Sequence, residues 1–181
     1  MSIDLSKFRV DNSGQSVGIF TNALPIHVDW DFVNELKQMA IDQTDKSIRL
    51  CLHDGPDALF HTMIIIQKKG SYYRPHKHRE KSECFHIIEG SMAVVCFSDD
   101  GSVIDGRYLQ SDQTFMYRVA ENMYHTVIPI TPIVVYHESK VGQFVKESDS
   151  TLAPWAPVGT DQTENDAYYE TLVNQIKLEI K

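Results

Sequence analysis

The sequence predicts an all-β domain, a small barrel of two facing sheets, with one helix ahead of it and a short helix behind it. Three observations lead there. Seven short runs of β-branched and aromatic residues lie between Leu59 and Tyr136, each separated from the next by residues that tolerate tight turns. Before them, Phe32, Val33, Leu36, Met39 and Ala40 recur at helical spacing. After them, Tyr169, Leu172, Val173 and Ile176 do the same.

The elements follow in chain order. Residues 1 to 22 carry Gly14 and Gly18 and little periodicity, which suits an arm or an edge strand. The first helix has Asp29 or Asp31 placed to cap the free amides at its start. The strand runs are Leu59 to Gln67, Glu83 to Ile88, Met92 to Phe97, Val103 to Tyr108, Thr114 to Val119, Met123 to Ile128 and Ile133 to Tyr136. Pro154, Pro157 and Gly159 then make a loop, and Asp161 and Thr163 open the terminal helix. The implied organisation is an arm over 1–24, a barrel domain with its preceding helix over 25–160, and a helical extension over 161–181.

Composition narrows the function classes. With 181 residues and 42% hydrophobic content, one domain can bury a real core without crosslinks. Seventeen basic residues against 25 acidic give a net charge of -8, which repels polyanions and argues against nucleic acid as a partner. No basic-then-apolar leader opens the chain and no apolar run approaches the roughly 20 residues of a membrane span, so no membrane association is expected. The three cysteines, Cys51, Cys84 and Cys96, form no C-x-x-C pair, which suggests neither a disulfide framework nor a thiolate zinc site and fits a reducing cytoplasm.

The chemistry lies in four residues. His76 and His78 stand one residue apart in a segment leading into a strand, where alternate side chains share a face. Glu83 opens the next apolar run. Imidazole and carboxylate together are the ligand set for iron, zinc, manganese or nickel, and they leave positions open for water or substrate. A fourth ligand is expected from His125, on a strand two hairpins later, the separation that brings a later barrel strand beside an earlier one. Lone strand histidines such as His61, His86 and His137 are read as surface or satisfied core residues.

Gly70, five residues, His76, one residue, His78, four residues, Glu83, six residues and Gly90 reproduce the first cupin motif at every position. The second motif expects proline, glycine and histidine where the chain has Ala120, Asn122 and His125, so only the histidine remains. Asn122 still suits a turn, because asparagine tolerates positive φ. Further strings resemble the WbuC-like cupin metalloproteins associated with bacterial surface-polysaccharide (O-antigen) gene clusters. They are Arg49-Leu50-Cys51-Leu52-His53, Tyr73-Arg74-Pro75-His76-Lys77-His78, Phe97-Ser98-Asp99-Asp100-Gly101, Glu138 to Phe144, and Ala153-Pro154-Trp155-Ala156-Pro157.

The resemblance, which covers roughly residues 25 to 160, implies a cupin jelly-roll barrel (a double-stranded β-helix) with a central metal and a role near carbohydrate metabolism. One divalent ion held by His76, His78, Glu83 and His125 leaves two positions of an octahedron for a bidentate ligand such as a keto acid or vicinal diol. Arg49, His53, Arg74 and Tyr117 are the expected substrate-facing residues, and Glu138 either orients a ligand histidine or ends a strand at the surface. Two classes compete. One is a metal-dependent isomerase, epimerase or oxygenase acting on a sugar or nucleotide-sugar intermediate. The other is a non-catalytic cupin that binds a small molecule around a structural metal. A homodimer is expected in either case, with the N-terminal arm available for edge pairing.

Overall fold

A computed structural model describes residues 8–21, 26–42, 46–145 and 148–179, with 178 and 179 described by backbone alone. The remaining parts of the expected arm, residues 1–7 and 22–24, and the end of the expected C-terminal extension lie outside the described residues. In order, the elements are β1 (Phe8–Asp11), β2 (Ser16–Thr21), α1 (Trp30–Asp42), β3 (Ser47–Cys51), β4 (Phe60–Lys68), β5 (His76–Lys77), β6 (Glu83–Glu89), β7 (Ser91–Phe97), β8 (Val103–Gln110), β9 (Met116–Val119), β10 (Tyr124–Pro129), β11 (Ile133–Val141), β12 (Thr151–Leu152) and α2 (Gln162–Glu179).

The strands form two sheets, one ordered β1-β2-β3-β4-β11-β6-β9 and the other β12-β5-β10-β7-β8. All neighbours pair antiparallel except β2 and β3, which run parallel with α1 as the crossover between them. The seven expected runs are all strands, and β1, β2, β3, β5 and β12 add to them.

Strand alternation sorts the side chains into layers. Met63, Ile65, Phe85, Ile87 and Tyr136 of the larger sheet meet Met92, Val94, Cys96 and Val127 of the smaller one and fill the barrel. Ile48, Leu50, Ile64 and Ile66 face outward beneath Val33, Leu36 and Ala40, the buried stripe of α1. On the far side, Ala93, Val95 and Phe97 meet Tyr169, Leu172 and Ile176 of α2. Each sheet is thus covered by one helix.

Both helices begin on an aspartate cap. Asp29 Oδ1 accepts the Phe32 amide at 2.9 Å, which settles the choice between Asp29 and Asp31. Asp161 Oδ1 accepts the Thr163 amide at 2.8 Å. Gly90 joins β6 to β7 at φ +82, and a Cβ there would come within 2.5 Å of Thr131 Oγ1 and 2.6 Å of the Ile133 carbonyl, so both conformation and space require glycine.

Candidate metal centre

The site is built where three short segments meet at one end of the barrel. β5 has only two residues and no apolar pattern of its own, and its place is fixed by pairing His76 with His125 of β10 on one side and Leu152 of β12 on the other. The turn leading into β10 is held by Asn122, whose φ of 57 is the one positive value at a non-glycine among the described residues. Its amide donates to the His78 carbonyl at 2.6 Å. Asparagine thus takes the place of the glycine of the second cupin motif, and the turn clips the strand of His125 to the segment of His78.

His76, His78, Glu83 and His125 offer ligand atoms that all lie within 4.8 Å of one another. Each imidazole is oriented the same way. Nδ1 of His76 faces the Arg74 carbonyl at 3.1 Å, Nδ1 of His125 the Met123 carbonyl at 3.0 Å, and Nδ1 of His78 the Asp149 carbonyl at 2.5 Å. A carbonyl only accepts, so Nδ1 is protonated in all three rings, and in the neutral form of each ring the lone pair is at Nε2. The His78 and His125 Nε2 atoms lie 2.9 Å from Glu83 Oε1 and 2.8 Å from Glu83 Oε2.

That arrangement fits a divalent cation. At metal–ligand distances of roughly 2.1 Å, cis donors sit about 3.0 Å apart, the spacing found between the carboxylate and the two rings. His78 Nε2 is buried and misaligned for a hydrogen bond to its Glu83 neighbour, so it is a ring nitrogen without a partner. His125 has an acceptor at each nitrogen, which demands either an imidazolium or a cation shared with Glu83 at Nε2. Three imidazoles and one carboxylate are a donor set for a first-row ion.

The electrostatics favour an anionic Glu83 and a neutral His76, while at His78 burial is outweighed by Glu83, which raises that ring above the ordinary imidazole value. Burial works against ionisation of Glu83, but the two histidines and Lys140 hold its carboxyl well below the ordinary carboxylate range. Burial, reinforced by His125, lowers His76 to about 3, keeping it neutral as a ligand must be. The surroundings of the ligands were not legible in the sequence. Asp149, 7% exposed, supplies the His78 carbonyl contact, and its carboxylate takes Lys81 at 2.5 Å and Lys140 at 3.3 Å. Lys140 in turn lies 3.5 Å from Glu83 Oε1. One buried carboxylate and one buried lysine therefore connect two of the four ligands, the outer support that metal sites require.

The expected substrate-facing residues are dispersed. Arg49 faces the barrel interior, since its neighbours Ile48 and Leu50 belong to the layer under α1 and Cys51 to the barrel core. His53 is buried and stacked on His61 with ring centroids 4.1 Å apart, its Nδ1 against the Thr62 carbonyl. Arg74 directs Nε and an Nη to the Ala153 carbonyl at 2.9 and 2.6 Å, holding the strand that flanks β5. Tyr117 donates its hydroxyl to Asp105 at 2.5 Å. Glu138 orients none of the ligand histidines, whose Nδ1 atoms all face carbonyls. It sits inside the barrel, where burial and then Glu83 raise it to about 7.

Two facing sheets with a histidine–glutamate centre at one end decide the architecture. The fold is that of a cupin. Residues 28–109 match a family model described as a domain of unknown function, DUF6016. No curated protein matches. Among solved structures, the capsular polysaccharide assembling protein CapF from Staphylococcus aureus is similar at 16% identity over 57% of this chain and 34% of that one, with a TM-score of 0.47. KdgF from Halomonas sp. is similar at 14% identity over 54% of this chain and 82% of that one, TM-score 0.43. The cupin domain of Cnp3 from Schizosaccharomyces pombe is similar at 14% over 54% and 65%, TM-score 0.42. The chain spans about a third of the length of CapF. No helix among its described residues is long and apolar enough to cross a membrane.

Proposed function

We propose that this cupin is a metal-dependent enzyme acting on a sugar or nucleotide-sugar intermediate of bacterial surface-polysaccharide synthesis. The observation that carries the metal part is the common orientation of the three ligand imidazoles, each with Nδ1 against a carbonyl, together with the Nε2 atoms of His78 and His125 at the two oxygens of Glu83. A bound divalent ion supplies Lewis acidity toward a carbonyl or hydroxyl oxygen. His76, His78, His125 and Glu83 hold it, Asp149 and Lys140 fix their geometry, and the polar interior around Arg49 and Glu138 receives the substrate. The sugar context rests on the WbuC-like strings; the cysteines without a C-x-x-C pair support a reducing cytoplasm, and the barrel with its N-terminal arm supports a homodimer.

The test is a thermal-shift screen of metal-loaded protein against sugar nucleotides and keto acids, in which a bound ligand raises the melting point by mass action. A rise with a nucleotide sugar supports the reading. No rise with any of them removes the polysaccharide assignment and leaves the metal centre to its own test.

A further inference from the structure

We infer that Glu138 and Arg49 form a ligand-binding wall beside the metal centre, and that the ligand they take is a polyhydroxy carboxylic acid. The inference rests on the metal-binding reading and names the substrate class of that same site.

Glu138 is placed inward by register. It lies opposite Met63 of β4 and Phe85 of β6, both in the barrel core, and its inward neighbours on β11 are Tyr136 and Lys140. Met63 is in turn opposite Cys51 of β3, two residues from Arg49 on the same inner face. Glu138 and Arg49 feel each other's charge, and Glu138 also feels Glu83, Lys140 and His78. Yet neither side chain is satisfied. Among the described residues Glu138, which is partly exposed, makes no hydrogen bond or ion pair and so keeps its carboxyl open to a ligand, while Arg49 Nε is buried without a partner. The other arginine of the expected site, Arg74, directs Nε and one Nη to the Ala153 carbonyl.

A buried polar group without a partner costs on the order of 1–3 kcal/mol, and native proteins keep such groups where a ligand completes them. A carboxyl satisfies itself on hydroxyl groups, and a guanidinium on a carboxylate. An apolar ligand would leave both unpaired and is rejected on that ground. A neutral polyol would satisfy Glu138 and leave Arg49 without its anion. A hydroxylated acid satisfies both.

The test uses zinc-loaded full-length protein in isothermal titration calorimetry, with D-gluconate as the hydroxylated acid and hexanoate as the acid without hydroxyls. Elemental analysis is run on the same samples. The wild type is expected to bind gluconate at least about tenfold tighter than hexanoate. Glu138→Ala should lose roughly tenfold to hundredfold in gluconate affinity with its zinc content unchanged, while Glu138→Gln, which keeps the hydrogen-bonding atoms, retains most of it. Arg49→Met should weaken both acids at least about fivefold, which keeps the wall testable if Glu138→Ala does not fold. Unchanged gluconate affinity in Glu138→Ala or Arg49→Met, or a zinc-bearing wild type that does not prefer gluconate, overturns the inference. A wild type that holds no zinc overturns the metal reading, and the inference with it.

Discussion

Replacing Glu83 with alanine separates the metal site from the fold. Glu83 is 4% exposed and is the one anionic ligand, with its oxygens 2.9 and 2.8 Å from the Nε2 atoms of His78 and His125. Loss of an outer support alone typically weakens metal binding by about 10 to 100-fold, so loss of a ligand and its charge should exceed about 100-fold, or roughly 2.7 kcal/mol. The metal-free fold should suffer less. Lys140 keeps Asp149 at 3.3 Å, so no buried ammonium is stranded, and the cost should stay below the roughly 3–5 kcal/mol of a broken buried pair. The assay pairs competition against a chromophoric chelator with urea unfolding of the metal-free protein. A variant that binds metal within about threefold of the wild type would refute the ligand assignment.

Lys140→Met should weaken metal about 10 to 100-fold in the same competition assay, because Lys140 holds both Glu83 and Asp149; unchanged affinity would show that the network is incidental. Gly90→Ala should destabilise by about 2–4 kcal/mol in urea unfolding, since it adds a clash to a left-handed backbone, and a cost under about 1 kcal/mol would contradict the packing. Burial lowers the pKa of His53, His61 and His137 below the ordinary 6.5. As pH falls through 6.5 the unfolded chain takes up protons that the folded chain refuses, so stability present above that pH is lost below it. His76 acts with these rings while Glu138 and His78, both raised, act against them, so with four lowered groups against two the melting temperature of metal-free protein should drop between pH 7 and 5.5, and a constant or rising value would count against the burial of these rings.

Much of the architecture was legible because the barrel strands alternate cleanly and their turns are marked. What escaped was short or polar for functional reasons. β5 is two residues held by pairing with His125 and Leu152, and no local pattern announces that. The run ending at Tyr136 continues to Val141 because Glu138 and Lys140 face the metal end of the barrel, where the interior is polar, so a buried strand reads as a strand end. His76, His78 and Glu83 were legible from spacing. His125 was legible from its position alone, and the backbone of Asn122 shows how a degraded motif keeps its turn. Asp149 comes to His78 from 71 residues away, out of a loop with no motif.

The central claim is that His76, His78, Glu83 and His125 hold one metal ion. Its most direct test is elemental analysis of wild-type protein refolded with excess iron, zinc, manganese or nickel and dialysed, followed by X-ray absorption at the edge of the retained metal. The account predicts one ion per chain with three imidazole nitrogens and a carboxylate oxygen among its ligands. Protein that retains none of the four metals, or a retained ion without imidazole in its shell, would contradict it.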